Sequence, residues 1–202
     1  ILFYHGLHND YQNMIDLHKH GTPFVVVDRK VDMPDIGFVG SDNFGSAELA
    51  VNHLTDLGHK RIFLVAREKY KNLSTIKERY QGYCNCMRNH QLEPMPLQLI
   101  PMKDFEALNV EWVKNLLKDQ KPTALVCCND ELASYFLYTC KLISVNIPKD
   151  LSVTGMGNIV SSIRTFHPAV TTVDLRAHDM GIQAAKLLLD IIEKKHEQSD
   201  TI

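Results

Sequence analysis

Charged and amide side chains directly follow several of the short apolar runs in this sequence. Asp28, Asn129 and Asn158 each stand at or just beyond the end of such a run. Arg79 comes about one helical turn after Thr75, where we place the start of a helix. If the runs are parallel strands, these side chains share one sheet edge, where open α/β sheets bind ligands. Carboxylate, amide and guanidinium groups supply both acceptors and donors, which suits a polyhydroxylated ligand such as a sugar.

Patterns typical of catalysis or metal binding are weaker. The segment Gly155-Met156-Gly157-Asn158 begins like a dinucleotide-binding loop, but Val160 stands where the third glycine belongs. The chain contains no Gly-x-Ser-x-Gly elbow, and its closest histidine pairs lack cysteine or acid partners at zinc-site spacing. We therefore expect no catalytic residue, no metal site and no cofactor. The structural alternative for Asp28 and Asp130 is that they only cap helices and turns.

Short apolar runs alternate with longer amphipathic stretches along the whole chain. Residues 24–27 and 125–128 are apolar at consecutive positions, which is typical of strands buried on both faces. Residues 46–57 carry apolar side chains at helical spacing, and Gly58 stands where that helix would stop. Residues 75–78 have the spacing of a capping box. The alternation predicts an α/β fold with doubly wound parallel sheets and helices on both faces.

The composition excludes several classes of protein. The chain has 202 residues, with 22 Lys and Arg against 24 Asp and Glu, so a strongly basic nucleic-acid-binding module is excluded. No apolar run approaches the roughly 20 residues that span a bilayer. The five cysteines are odd in number and irregularly spaced, which favours reduced thiols in a cytoplasmic protein. Because the sequence opens inside an expected strand and without methionine, we expect it to be a piece of a longer protein.

Several longer motifs follow one another along the chain. They are residues 39–47 (VGSDNFGSA), 57–62 (LGHKRI), 79–83 (RYQGY), 122–125 (PTAL) with 129–133 (NDELA), 147–153 (IPKDLSV) and 167–173 (HPAVTTV). Together they resemble the effector domain of the lactose/galactose-repressor (LacI/GalR) family. The chain is equally similar to the same domain of arabinose-type repressors, where it follows a winged-helix DNA reader.

The resemblance implies a periplasmic-binding-protein-like fold. Such a fold has two doubly wound parallel-sheet lobes, crossover hinge strands and a ligand cleft between the lobes. Residues 1–39 and 172–202 are then parts of a first, incomplete lobe, and residues 40–171 form the second lobe. The DNA-reading head, the opening strand-helix-strand of the first lobe and the closing strand of the second are expected to lie outside this sequence.

The resemblance also assigns candidate ligand contacts residue by residue. Asp28 matches the acid at the end of a first-lobe strand, and Arg79 matches the arginine that grips the polar face of the ligand. Phe105 matches an aromatic residue that packs on the ligand from the second lobe. Asn129 matches the asparagine of an Asn-Asp pair. We expect Arg79 to face the ligand and not the core.

Two departures from the family pattern bear on the identity of the ligand. Gly157 stands where the family carries a hydroxyl-accepting aspartate, and Asn158 is the substitute that this sequence offers. A neutral amide binds differently from a carboxylate. Residues 67–69 (REK) also replace the small, turn-forming residues that are common at that place.

The function implied by the resemblance is that of an effector-sensing and dimerisation domain of a bacterial transcriptional regulator. Such a domain binds a sugar-like molecule, forms a homodimer through helices such as 46–57 and 130–144, and contacts operator DNA through a separate head, with no membrane partner. The alternative is an extracytoplasmic sugar-binding protein of a transporter, which the cysteines disfavour. A third class, an enzyme on a doubly wound sheet, lacks a recognisable nucleophile or cofactor loop.

Overall fold

A computed structural model describes residues 1–3, 11–101, 109–158 and 168–199. The chain divides into two units, which we call unit 1 (Ile1–Ser41 with Arg176–Ile202) and unit 2 (Asp42–Leu175). Both boundaries lie slightly further along the chain than the ends of the predicted lobes at residues 39 and 171. Strand 171–173 pairs within the sheet of unit 2, which explains the difference at the second boundary.

The described elements alternate between strand and helix over most of the chain. In chain order they are β1 (Leu2–Phe3), α1 (Gln12–Lys19), β2 (Val25–Val27), β3 (Gly37–Val39), α2 (Asn43–Asp56), β4 (Ile62–Arg67), α3 (Ser74–Asn89), β5 (Gln98–Ile100), α4 (Val110–Asn115), β6 (Ala124–Cys127), α5 (Asp130–Leu142), β7 (Ser152–Met156), β8 (Thr171–Val173) and α6 (Ala177–Ser199). A 3-10 turn, Glu68–Tyr70, follows β4, and a π-helical turn, Leu116–Gln120, continues α4.

Unit 1 is built on a parallel three-stranded sheet in the order β1-β2-β3. Successive side chains of a strand point to opposite faces, so Val25 and Val26 serve different layers. Val26 joins Met14 of α1 in one apolar cluster. On the other face, the absent side chain of Gly37 leaves space that Val25, Leu187 and Ile191 fill. Helices α1 and α6 therefore cover opposite faces of this sheet.

Unit 2 contains a parallel five-stranded sheet in the order β5-β4-β6-β7-β8. Every residue of β4 and β6 is buried, as expected for central strands covered on both faces. Alternate residues of these strands enter two separate cores. Phe63 and Leu125 pack with α5, while Leu64 and Val126 pack with α2 and α3. The predicted doubly wound α/β architecture is confirmed.

Helix α2 has a side-chain cap at its first turn, and α3 lacks the cap that its sequence predicts. Helix α2 is capped by Asp42, whose Oδ1 accepts a 2.8 Å hydrogen bond from the backbone N–H of Gly45. Its end is followed by Gly58 in the left-handed region, at φ +87°, as the sequence predicts. The predicted capping box at residues 75–78 is wrong, because α3 begins at Ser74 and no side chain caps it.

The five cysteines are free and buried in the structure. Burial raises the pKa of the Cys128 thiol to about 12, and burial likewise raises the pKa of Cys140 to about 11. The Cys128 and Cys140 thiols are therefore neutral near pH 7 and unsuited to act as nucleophiles. Among the described helices, none combines the length and the apolar character that crossing a membrane requires.

Candidate ligand-binding site

The carboxyl ends of the central strands of unit 2 form a polar rim. Strands β4, β6 and β7 run parallel and in register, so their carboxyl ends point the same way. Arg67 is the last residue of β4, Asn129 follows β6 and Asn158 follows β7. The sequence placed these residues correctly at strand ends, because apolar runs show where buried strands stop.

Arg79 joins this rim from α3. Its Nε donates a 2.9 Å hydrogen bond to Oδ1 of Asn43, the first residue of α2, and its Nη1 donates to the backbone carbonyl of Cys128 beyond β6. The residue is only 6% exposed. Asn43 in turn donates a 2.9 Å hydrogen bond to Oε2 of Glu78. The Glu78 carboxylate therefore links α3 to α2 and does not cap its own helix.

The structure corrects one part of the expectation for Arg79. Its guanidinium does not face a ligand alone, since two of its nitrogens hold α2, α3 and the end of β6 together. The remaining nitrogen, Nη2, has no hydrogen-bond partner among the described residues. A planar guanidinium fixed at two nitrogens presents its third in a defined direction, which is a suitable arrangement for binding a ligand oxygen.

Asn129 stands beside the same carbonyl and caps α5. Its Oδ1 accepts a 2.8 Å hydrogen bond from the backbone N–H of Leu132, which is the usual bond of an N-cap asparagine. Within the part of the chain that the structure describes, its Nδ2 has no partner. The Asn129 amide therefore caps α5 with its oxygen and leaves its nitrogen as a donor for a ligand.

Asp130, the first residue of α5, is fully buried behind the rim. Its Oδ1 accepts a hydrogen bond from the hydroxyl of Thr172 in β8. Gly155 in β7 makes room for it, because a Cβ atom at that position would overlap the same carboxylate oxygen. The aspartate thus ties α5 to the sheet, a role that sequence reasoning did not assign to it.

The other predicted contacts have different surroundings. Asn158 is exposed with φ at 57°, and its Nδ2 donates a 3.1 Å hydrogen bond to Oδ2 of Asp174. Asp28 lies in unit 1 directly after β2, also with positive φ, and its carboxylate is 3.7 Å from Nε of Arg29. Phe105 lies outside the described residues. The structure brings Arg79 and Asn129 together, while Asp28, Phe105 and Asn158 stay predictions.

Arg67, the one charged residue of β4, lies at a strand end where the sequence predicts the polar rim, but it is not among the predicted ligand contacts. It is 5% exposed, its Nη1 is 3.6 Å from Oε2 of Glu131, and its guanidinium carbon is 5.4 Å from the centre of the Tyr70 ring. The available signal was a charged residue ending an otherwise apolar run. Buried arginines at the carboxyl ends of strands are candidates for ligand binding, because desolvating such a group requires compensating partners.

Comparison with known proteins identifies the fold family. The family described as periplasmic binding protein-like domain matches residues 51–202. The chain belongs to this family. The matched residues include all five strands of the parallel sheet of unit 2.

Relatives within this family include named regulators. The chain is 31% identical over 198 residues to the HTH-type transcriptional repressor PurR of Pasteurella multocida, covering 95% of this chain and 57% of that protein. It is 29% identical over 187 residues to an arabinose metabolism transcriptional repressor of Halalkalibacterium halodurans, covering 91% of this chain and 49% of that protein. The chain thus spans about half the length of the curated relatives it matches.

A solved structure of similar sequence supports the same assignment. The LacI family transcriptional regulator from Enterococcus faecium with bound ribose is 30% identical, with a TM-score of 0.76, over 89% of this chain and 65% of that one. The resemblance to the LacI/GalR effector domain is therefore confirmed. The relatives are transcriptional regulators, and the regulatory family assignment rests on them together with the fold.

Proposed function

We propose that this chain is the effector-sensing and dimerisation part of a bacterial transcriptional repressor that acts in the cytoplasm. It binds a sugar-like small molecule and relays that binding to operator DNA through a DNA-binding domain of a longer protein. It forms a homodimer, because repressors that read two half-sites use two-fold symmetry. It performs no catalysis and needs no cofactor.

The arrangement around Arg79 carries this proposal. Its guanidinium is buried at the carboxyl rim of the sheet, oriented by Asn43 and by the carbonyl of Cys128, with Nη2 available to a ligand. Nδ2 of Asn129 is a second donor beside the same carbonyl. Ribose is bound by one structurally similar regulator, according to its name. A sugar-like ligand is the simplest occupant of a site that presents several oriented donors.

Relay to DNA requires that the ligand bind two conformations of the regulator unequally. The ligand shifts their populations by its difference in affinity, and operator binding changes by the same coupling free energy. Asp28, Asn158 and Phe105 remain proposed ligand contacts in addition to Arg79 and Asn129.

A thermal-unfolding screen of this chain tests the proposal. The panel contains pentoses, hexoses, disaccharides, nucleosides and the phosphates of each. A compound present at 100 times its dissociation constant is expected to add about 2.7 kcal/mol to the free energy of unfolding. The same compound should bind Arg79→Ala about 10- to 150-fold more weakly. Arg88→Ala, an exposed change on the same helix, should bind normally; a panel without any stabilising compound overturns the proposal.

A further inference from the structure

The rim of unit 2 offers hydrogen-bond donors, while many of its acceptors are already used. Nη2 of Arg79 and Nδ2 of Asn129 have no partner among the described residues. In contrast, Oδ1 of Asn43 accepts from Arg79, and Oδ1 of Asn129 accepts from the backbone of Leu132. The carbonyl of Cys128 also accepts from Arg79. Around Arg79 and Asn129, the groups left for a ligand are therefore donors.

Arg67 adds a second buried guanidinium to the same edge. Its Nη1 lies 3.6 Å from Oε2 of Glu131 in α5. Arg79, in α3, donates to the backbone carbonyl of Cys128, so both arginines contact the short segment 128–131. Lys69 lies close by, with Nζ 4.9 Å from the centre of the Tyr70 ring that Arg67 also contacts. Two cations thus surround one tyrosine at the end of β4.

Four nearby carboxylates have identifiable partners, and the most exposed of them, Glu68, lies 3.9 Å from Nζ of Lys71. Asp130 accepts from Thr172, and Glu78 accepts from Asn43. Glu131 faces Arg67 at 3.6 Å, which is longer than a charge-assisted hydrogen bond, and its side chain is 44% exposed. A loose ion pair with a half-exposed carboxylate is easily replaced, because water already solvates the acid and weakens the attraction.

We propose that the ligand carries an anionic group, a phosphate or a carboxylate on a sugar-like body, and that Arg67 binds this group. Arg79 and Asn129 then bind oxygens of the body. The inference rests on the proposed function and names its ligand class. A neutral sugar presents hydroxyl groups, which need acceptors as well as donors, whereas a phosphate presents acceptors almost exclusively. A guanidinium fork matches both phosphate and carboxylate in geometry.

Matched pairs of compounds test this inference by calorimetry with the whole chain. Ribose is compared with ribose 5-phosphate, and glucose is compared with glucose 6-phosphate and with gluconate. Inorganic phosphate alone is the control for the anion. The anionic member of a pair is expected to bind at least about tenfold more tightly than the neutral one, since it adds a charge-assisted bond.

Variants locate the anionic group. Arg67→Gln should weaken binding of the anionic compound about 10- to 150-fold while leaving the neutral member unchanged. Glu131→Gln removes the competing carboxylate from a half-exposed position and should tighten anion binding about 2- to 5-fold. This second variant keeps both arginines, so it tests the inference even if Arg67→Gln folds poorly. Arg88→Ala removes a positive charge elsewhere on unit 2 and should change nothing.

The outcomes separate the two proposals. Equal binding of neutral and anionic members, or anion binding that is insensitive to both Arg67→Gln and Glu131→Gln, overturns this inference and leaves the proposed function standing. Binding of inorganic phosphate as tight as that of the sugar phosphates also overturns it, because the sugar body then contributes nothing. If none of the sugars, acids or phosphates binds, the proposed function fails together with it.

Discussion

Nε of Arg79 donates a 2.9 Å hydrogen bond to Oδ1 of Asn43, although 36 positions separate the two residues in the chain. This bond joins the first turn of α2 to the second turn of α3 and leaves the guanidinium pointing at the end of β6. Ligand binding and the packing of unit 2 therefore depend on the same side chain. Substitutions at this pair should affect both properties.

Arg79→Ala should lower the free energy of unfolding of unit 2 by about 1.5–3 kcal/mol, because a charged donor to two buried acceptors is lost. Urea unfolding followed by fluorescence of Trp112, the single tryptophan, measures this, since Trp112 packs against Phe136 in the core of unit 2. Arg88→Ala is the control and should stay within about 0.5 kcal/mol of the wild type. The double variant with Asn43→Ala should be less destabilised than the sum of the single changes.

Gly82→Ala should destabilise the packing of α2 against α3. A Cβ atom there would overlap the backbone carbonyl of Phe44, which cannot move without displacing the first turn of α2. We expect a loss of about 1–3 kcal/mol, the usual cost of overpacking a rigid contact. Gly181→Ala in α6 is the matched control, because no atom lies within 4 Å of the added methyl group. It should stabilise the protein by about 0.5–1 kcal/mol in thermal melts, and equal behaviour of the two variants would contradict this account.

Stability should fall as the pH rises above about 9. Burial raises the pKa of Cys128 to about 12 and the pKa of Cys140 to about 11, from 9.0 in the unfolded chain. Between these values the unfolded state has released its thiol protons and the folded state retains them, so increasing pH favours unfolding. Each such thiol can contribute up to about 1.4 kcal/mol per pH unit.

Urea unfolding at pH 8, 9 and 10 measures that slope, and Cys128→Ala should make it shallower. At pH 8 Cys128 and Cys140 should also react slowly with iodoacetamide in the folded protein, because the thiolate is the reactive form. A midpoint that is independent of pH over this interval would show that the thiols titrate normally.

Self-association should involve the exposed apolar face of α5. Tyr138 and Leu142 are one helical turn apart and are 46% and 53% exposed, so the two side chains form a small apolar patch on α5. Sedimentation at tens of micromolar is expected to show a dimer that Leu142→Asp converts to monomer. Leu189→Asp, at a similarly exposed position on α6, is the control. Dissociation by Leu57→Asp alone would move the interface to the C-terminal end of α2.

The sequence by itself determined the α/β class and the polar ends of the strands. Uninterrupted apolar runs such as 125–128 can be stable only when helices cover both faces of the strand. The first polar residue after such a run marks the point where the chain leaves the buried sheet. For this reason the apolar pattern alone was sufficient to place Asn129 and Asn158 at strand ends. The α/β class and the strand ends both follow from which residues are buried, and the spacing of apolar residues along the sequence shows this directly.

Only the tertiary structure decided what the polar groups bind. Glu78 has the spacing of a capping residue but accepts from Asn43, because the packing of α2 against α3 offers it a donor that the helix end does not. Asp130 meets Thr172 across the sheet, and Gly155 leaves the space for it. Such partners are distant in sequence, and they meet because of how the helices and strands pack. The spacing of residues within one helix or strand does not predict that packing.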